Sequence, residues 1–162
     1  MITGNIMYKF FVFSFMSLFL VGCVTTPKTQ MTPLEIQSMQ VKKYENNKDV
    51  VFSSVVSMFQ DLGYIINSAD KDTGFISAVS ATQSDKNYAF WTGGSRTSQT
   101  NATSYIEKIG KYTRVRLNFV ETTEKSSAYG RQDKEEIPIL DVKLYQSAFE
   151  RIENGIFVRS EK

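Results

Sequence analysis

The chain has 162 residues, 22% of them charged, with 19 Lys and Arg against 17 Asp and Glu, no histidine and one cysteine. Without histidine there is no Ser-His-Asp or Cys-His nucleophile system and no imidazole ligand for a metal, which makes hydrolase chemistry less expected while leaving carboxylate-based catalysis open. A charge balance this close to neutral does not favour broad electrostatic capture of nucleic acid, and a single cysteine offers no disulfide within the chain.

The chain begins with an apolar run over residues 10–20 (FFVFSFMSLFL), preceded by Lys9, the only charge among the first 22 residues. The run is shorter than the roughly 20 residues that span a bilayer. It has the length of a secretory h-region behind a basic n-region. It closes on Leu20-Val21-Gly22-Cys23, which resembles the lipobox of bacterial lipoproteins. The resemblance implies cleavage before Cys23, lipidation of its thiol and acylation of the new amine. The plain alternative is a chance cysteine after a signal peptide or signal anchor. Several acyl chains, each adding about 0.8 kcal/mol per buried methylene, anchor a protein stably where one does so only marginally. Val24 follows the cysteine. In lipoproteins of the enterobacterial type, which this resembles, Asp at that place favours inner-membrane retention, so the resemblance implies the outer membrane, with the domain facing the periplasm. Residues 1–22 are then the signal peptide, whether translation starts at Met1 or Met7. The remaining 140 residues, 162 less 22, suit one domain.

Residues 24–33 (VTTPKTQMTP) are polar with two prolines, which reads as a flexible tether after the lipidated cysteine, and a single domain is expected over 34–162. Leu34, Ile36 and Met39 allow a short helix, and the alternation of Met39 and Val41 with Gln40 and Lys42 reads as a strand. Asn47 is a favoured N-cap and Asp49 suits the first turn of a helix. Val51, Val55, Met58, Phe59 and Leu62 then form one apolar stripe, and Gly63 stands where a helix can end in the left-handed region. Tyr64, Ile65 and Ile66 begin a strand, residues 70–74 (DKDTG) are a turn, and residues 75–81 return as its hairpin partner.

Residues 82–101 are rich in Ser, Thr, Asn and Gly and read either as a long loop or as a loop holding a short strand. A second hairpin is expected over 103–109 and 112–120, where Thr113, Val115, Leu117 and Phe119 alternate with polar residues. The charged stretch 121–136 reads as a solvated connection. Asp141 caps a last helix with Val142, Tyr145, Phe149 and Ile152 on one face and Gly155 at its end. These elements predict an α+β domain: an antiparallel sheet of about four to five strands with two helices packed on one face.

The helix ending in Asp61-Leu62-Gly63-Tyr64, the strand after it and the turn Asp70-Lys71-Asp72-Thr73-Gly74 before Phe75-Ile76 resemble the repeated domain of the BamC family. BamC is a lipoprotein of the outer-membrane β-barrel assembly machine, and its helix-grip domains share the Gly-aromatic step and the D-x-D/E-x-G hairpin. The resemblance covers residues 47–79 and implies the helix-grip fold and lipoprotein character. The family has two such domains and a long N-terminal segment, where this chain shows one domain and a short tether. No functional residue carries over.

Three groups of residues invite a function. Asp70, Asp72 and Gly74 superficially suggest a calcium loop, but an EF-hand needs an oxygen ligand at the place of Gly74 and a bidentate Glu at the place of Ala81. A hairpin turn explains the pattern, and no metal or other cofactor is expected. Tyr88, Phe90 and Trp91 form an aromatic cluster in a polar stretch, which fits an interaction patch for a partner or the membrane interface, or rings that close off the core. Trp91→Ala separates these readings: core rings cost stability on truncation and surface rings do not. Arg114 and Arg116 share a sheet face, with Arg96 expected nearby, and could contact an anion or simply be solvated.

The expectation from these residues is a non-enzymatic accessory or scaffold module, held to the membrane by its N-terminal lipid and partnered by envelope proteins. A second reading is a binder of a small hydrophobic or anionic ligand, with an apolar cavity lined by Val55, Phe59, Leu117 and Phe149. A third, an enzyme acting on glycan through paired carboxylates, would need two acids in one cleft.

Overall fold

Polar caps set the helix starts. The computed structural model describes residues 31–161; Cys23, the apolar run before it and most of the expected tether lie outside the described residues. Helix α1 (Pro33–Gln40) opens on a capping box: the Glu35 amide donates to Thr32 Oγ1 at 3.3 Å and the Thr32 amide to Glu35 Oε2 at 2.6 Å. Thr32 and Pro33, read as the end of the tether, are therefore cap and first turn. Helix α2 (Lys48–Asp61) starts at Asn47, whose Oδ1 accepts from the Val50 amide at 2.9 Å. Helix α3 spans Lys86–Thr92, and α4 spans Val142–Ser160 behind the Asp141 cap.

The strands are β1 (Val41–Tyr44), β2 (Ile65–Asp70), β3 (Phe75–Val79), β4 (Gln83–Ser84), β5 (Ser95–Ile109), β6 (Tyr112–Ser126) and β7 (Gln132–Pro138). They form one antiparallel seven-stranded sheet in the order β1-β6-β5-β3-β2, with β4 added to β5 and β7 to β6. The protein is thus an α+β domain. Among the described residues the buried apolar side chains form one core.

Helices α2 and α4 cover one face of the sheet. Val51, Val55, Met58 and Phe59 from α2 and Tyr145, Ala148 and Ile152 from α4 meet Ile76, Ile106, Val115, Leu117 and Phe119, each essentially without exposure. Phe119 stands among Phe59, Tyr64 and Tyr145, with ring centroids 6.4, 6.0 and 5.2 Å away. The four residues expected to line a ligand cavity are packed into this core, with Val55, Phe59 and Leu117 at 0% exposure and Phe149 at 6%. The space between helices and sheet is filled by side chains.

Three expectations are corrected. The sheet has seven strands: β5 and β6, each 15 residues long, run on past the expected ends at residues 103 and 120, and β4 and β7 pair with the extensions. The buried apolar residues of these two strands stop at Ala102 and Phe119, so the alternation stops while the ladder continues, from Asn101↔Val120 to Ser95↔Ser126. The connection expected over 121–136 is the end of β6, a turn with Gly130 at φ 80°, and β7. Every residue of β7 is exposed, and its charges suit an edge that must not recruit another strand. The described residues hold four helices and not two, the additions being the short α1 and α3.

Gly155 does not end α4 but sits within it. A Cβ there would meet Ser54 Cβ at 3.1 Å, so glycine permits the close approach of α4 to α2. Nearby, Arg159 Nη2 donates to Ser57 Oγ at 2.7 Å and Nη1 to the Gly155 carbonyl at 2.9 Å.

Tyr145 completes the sheet from the helix side. Strand β1 pairs no farther than Arg116 and β7 no nearer than Val120, and the Phe119 amide between them donates to the Tyr145 hydroxyl at 3.3 Å. Tyr145→Phe leaves that buried amide without a partner and should cost about 1–3 kcal/mol, read as a lower urea midpoint at unchanged slope.

Candidate functional site

The sheet face away from the helices is open, and the sequence pattern places Arg114 and Arg116 there as expected. The two are not equivalent. Arg114 lies directly opposite Glu107, and its Nε donates to Glu107 Oε1 at 2.8 Å, with Nη2 on the same oxygen. Arg116 makes no ion pair among the described residues and stands in a row with Phe75, Tyr105 and Val41 across β3, β5 and β1. Phe75 and Tyr105 remain about half exposed. Arg96 is not nearby. It pairs with Lys125 near the far end of the hairpin and has the strand parity of the helix-facing residues, so its side of the sheet is the other one.

The second candidate lies at that far end. Asp85 caps α3, with Oδ1 accepting from the Asn87 and Tyr88 amides at 3.0 and 3.1 Å, and Gly93 closes the helix at φ 65°. The helix buries none of its residues. Tyr88 is half-buried, whereas Phe90 and Trp91 are 80% and 81% exposed and meet edge to face at 5.3 Å. The reading of these rings as a lid on the core does not fit that exposure. Trp91→Ala should change stability by less than about 1 kcal/mol in thermal unfolding.

Tyr129 belongs to the same end. It occupies the β6–β7 turn and is 98% exposed. The turn is brought to α3 by glycine: a Cβ on Gly94 would fall 2.0 Å from the Ser126 carbonyl oxygen, and one on Gly93 would touch Ala128 at 3.6 Å. Its visible signal was an aromatic beside glycine within Ser127-Ala128-Tyr129-Gly130, hidden by the charged residues around it. A shallow polar groove of about 470 Å³, lined by Ser95, Thr97, Glu124, Lys125, Asp133 and Lys134, lies along the strands behind this tip.

The Asp70 turn is the hairpin turn expected. Asp70 Oδ1 accepts from the Asp72 and Thr73 amides at 2.9 and 3.2 Å, and the Thr73 contact is the main cause holding its carboxyl below the usual range. Among the described residues, no group of three or more Asp, Glu or Cys side chains is placed to hold a metal ion. No described helix is long and apolar enough to cross a membrane.

Among the described residues two buried side-chain hydroxyls are unpaired, those of Tyr44 and Ser104. The Tyr44 hydroxyl has no hydrogen-bond partner, and burial, with the Glu153 carboxylate adding to it, pushes its pKa well above 10. Below pH 10 the phenol is neutral in both folded and unfolded chains. Above it the unfolded phenol loses its proton first, so the unfolded chain binds fewer protons and stability falls as pH rises. Tyr44→Phe should match or exceed the parent at neutral pH, by up to about 1 kcal/mol, and should lose less stability above pH 10 in denaturant titrations.

No known family's sequence model matches the chain, and no curated protein matches it. Among solved structures it is similar to a DUF4468 family protein from Bacteroides ovatus ATCC 8483, at 11% identity and a TM-score of 0.31, with 58% of each chain covered. The chain thus spans 58% of that protein's length, and the likeness is too slight to carry an argument about fold or function.

Proposed function

We propose that this chain is a membrane-anchored lipoprotein of a bacterial envelope, and that its α+β domain serves as a non-enzymatic interaction module in an envelope complex. The observation that carries the reading is the order of Lys9, the apolar run, Gly22 and the sole cysteine, Cys23. What supports a binding rather than catalytic domain is the absence of histidine from the chain, together with exposed aromatic side chains at the end of the sheet. The helix-grip architecture of the BamC type is part of the same proposal, as is placement at the outer membrane, which rests on Val24.

Metabolic labelling with palmitate tests the anchor. The parent chain should incorporate label and shorten on maturation, and Cys23→Ser should do neither. An unlabelled parent overturns the lipoprotein reading. Crosslinking in intact cells followed by mass spectrometry tests the module, and recovery of no specific envelope protein counts against it.

A further inference from the structure

We propose that the far end of the sheet, formed by Phe90, Trp91 and Tyr129, inserts into the interfacial zone of an anionic phospholipid bilayer, with Lys86 meeting the headgroups. The assignment rests on the reading of the chain as membrane-tethered and names what its exposed patch touches. The three rings come from α3 and from the β6–β7 turn, segments far apart in sequence that Ser95↔Ser126 pairing brings to one end, where a Cβ on Gly93 would touch Ala128. Their exposures of 80%, 81% and 98% mean that they stand clear of the surface rather than lie along it.

Size argues for a bilayer over a protein partner. Three aromatic side chains offer roughly 450–750 Å² at about 150–250 Å² each, short of the roughly 800 Å² per partner of a standard protein interface. Their immediate neighbours are Gly, Ser, Thr and Ala, which add little. A bilayer accepts each ring without a matching pocket, and Trp and Tyr concentrate at membrane–water interfaces.

Charge points the same way. Residues 86–95 and 126–132 contain Lys86 and Arg131 and no carboxylate. Asp85 is engaged in capping α3, and Asp133 is ion-paired with Arg131 at 3.5 Å, which leaves Lys86 as the tip cation with no ion pair among the described residues. Lys125 and Lys134 are paired with Glu135 and Glu136 along the strands, and Glu124 lies beside them in the groove. The tip therefore presents its rings with the unpaired Lys86 beside them, which suits an anionic headgroup layer.

Trp91 is the only tryptophan in the chain and reports directly on the tip. The unit Met31–Lys162 contains the core formed by the described residues and lacks Cys23, so its result is independent of lipidation. On addition of vesicles of phosphatidylethanolamine and phosphatidylglycerol in equal parts, Trp91 emission should shift to the blue and be quenched by lipids brominated near the headgroup. Phe90→Ala and Tyr129→Ala should each lower partitioning about tenfold while thermal unfolding is unchanged. No shift, or a shift untouched by both substitutions, overturns the proposal, as does capture of a protein through Trp91 by a tip that ignores vesicles. Equal partitioning into phosphatidylcholine vesicles overturns the headgroup contacts.

Discussion

Gly74→Ala is expected to destabilise the protein by about 3 kcal/mol or more. Gly74 closes the β2–β3 hairpin at φ 80°, a region that costs an L side chain about 1–2 kcal/mol. The larger part comes from space. A Cβ would fall 1.9 Å from the Ile106 carbonyl oxygen, which is backbone and has no rotamer to change. Ile106 is a fully buried member of β5, and its amide donates to the Gly74 carbonyl at 2.8 Å, so relief requires β3 and β5 to part in the middle of the core. Against a total of about 5–15 kcal/mol the loss is large. Gly63→Ala is the control: it has φ 79° but nothing within 4 Å, so it should cost only about 1–2 kcal/mol. Denaturant titrations of the two variants separate conformational strain from collision, and equal costs would show that β5 does not approach Gly74 as described.

Phe119→Ala should cost about 3–5 kcal/mol. Phe119 is fully buried among Phe59, Tyr64 and Tyr145, on the last core position of β6 before the sheet runs on without helices. Its removal leaves a void between α2, α4 and the sheet that rigid neighbouring rings cannot close. The comparison with Trp91→Ala is the informative one, because the two residues are of similar bulk and opposite setting. A small loss at Phe119, or a large one at Trp91, would contradict the division between a packed core and a projecting aromatic end.

Much of the core was legible before any coordinates. The stripe of Val51, Val55, Met58 and Phe59 and the alternation of Val115, Leu117 and Phe119 are periodic signals that burial itself imposes, and each lands where its period puts it. Asn47 and Asp141 cap the helices they were expected to cap, because a side-chain acceptor for orphan amides works within a few residues. Beyond the core the signal fails. Residues 95–100, 121–126 and 132–138 are polar strands whose partners are one another, and ladder hydrogen bonds need no apolar side chain. Gly155 misled for a related reason: a helix-ending residue and a residue that lets two helices touch look alike in one sequence, and only Ser54 across the gap tells them apart.

The candidate surfaces divide in the same way. Tyr88, Phe90 and Trp91 could be named as a cluster because they are adjacent in the chain. Their outward projection, the addition of Tyr129 and the neutralisation of Arg114 by Glu107 depend on pairings between distant segments.

The sequence by itself determined the local chemistry: where helices start, which faces are apolar, where a turn needs glycine, and the ordered features that end at Cys23. These depend on neighbours within a few residues. Only tertiary packing sets how far the long hairpin reaches, which of Arg114 and Arg116 is ion-paired and which aromatic rings leave the core. Those outcomes are set by register across the sheet and by the room left between packed elements, quantities that no single segment carries.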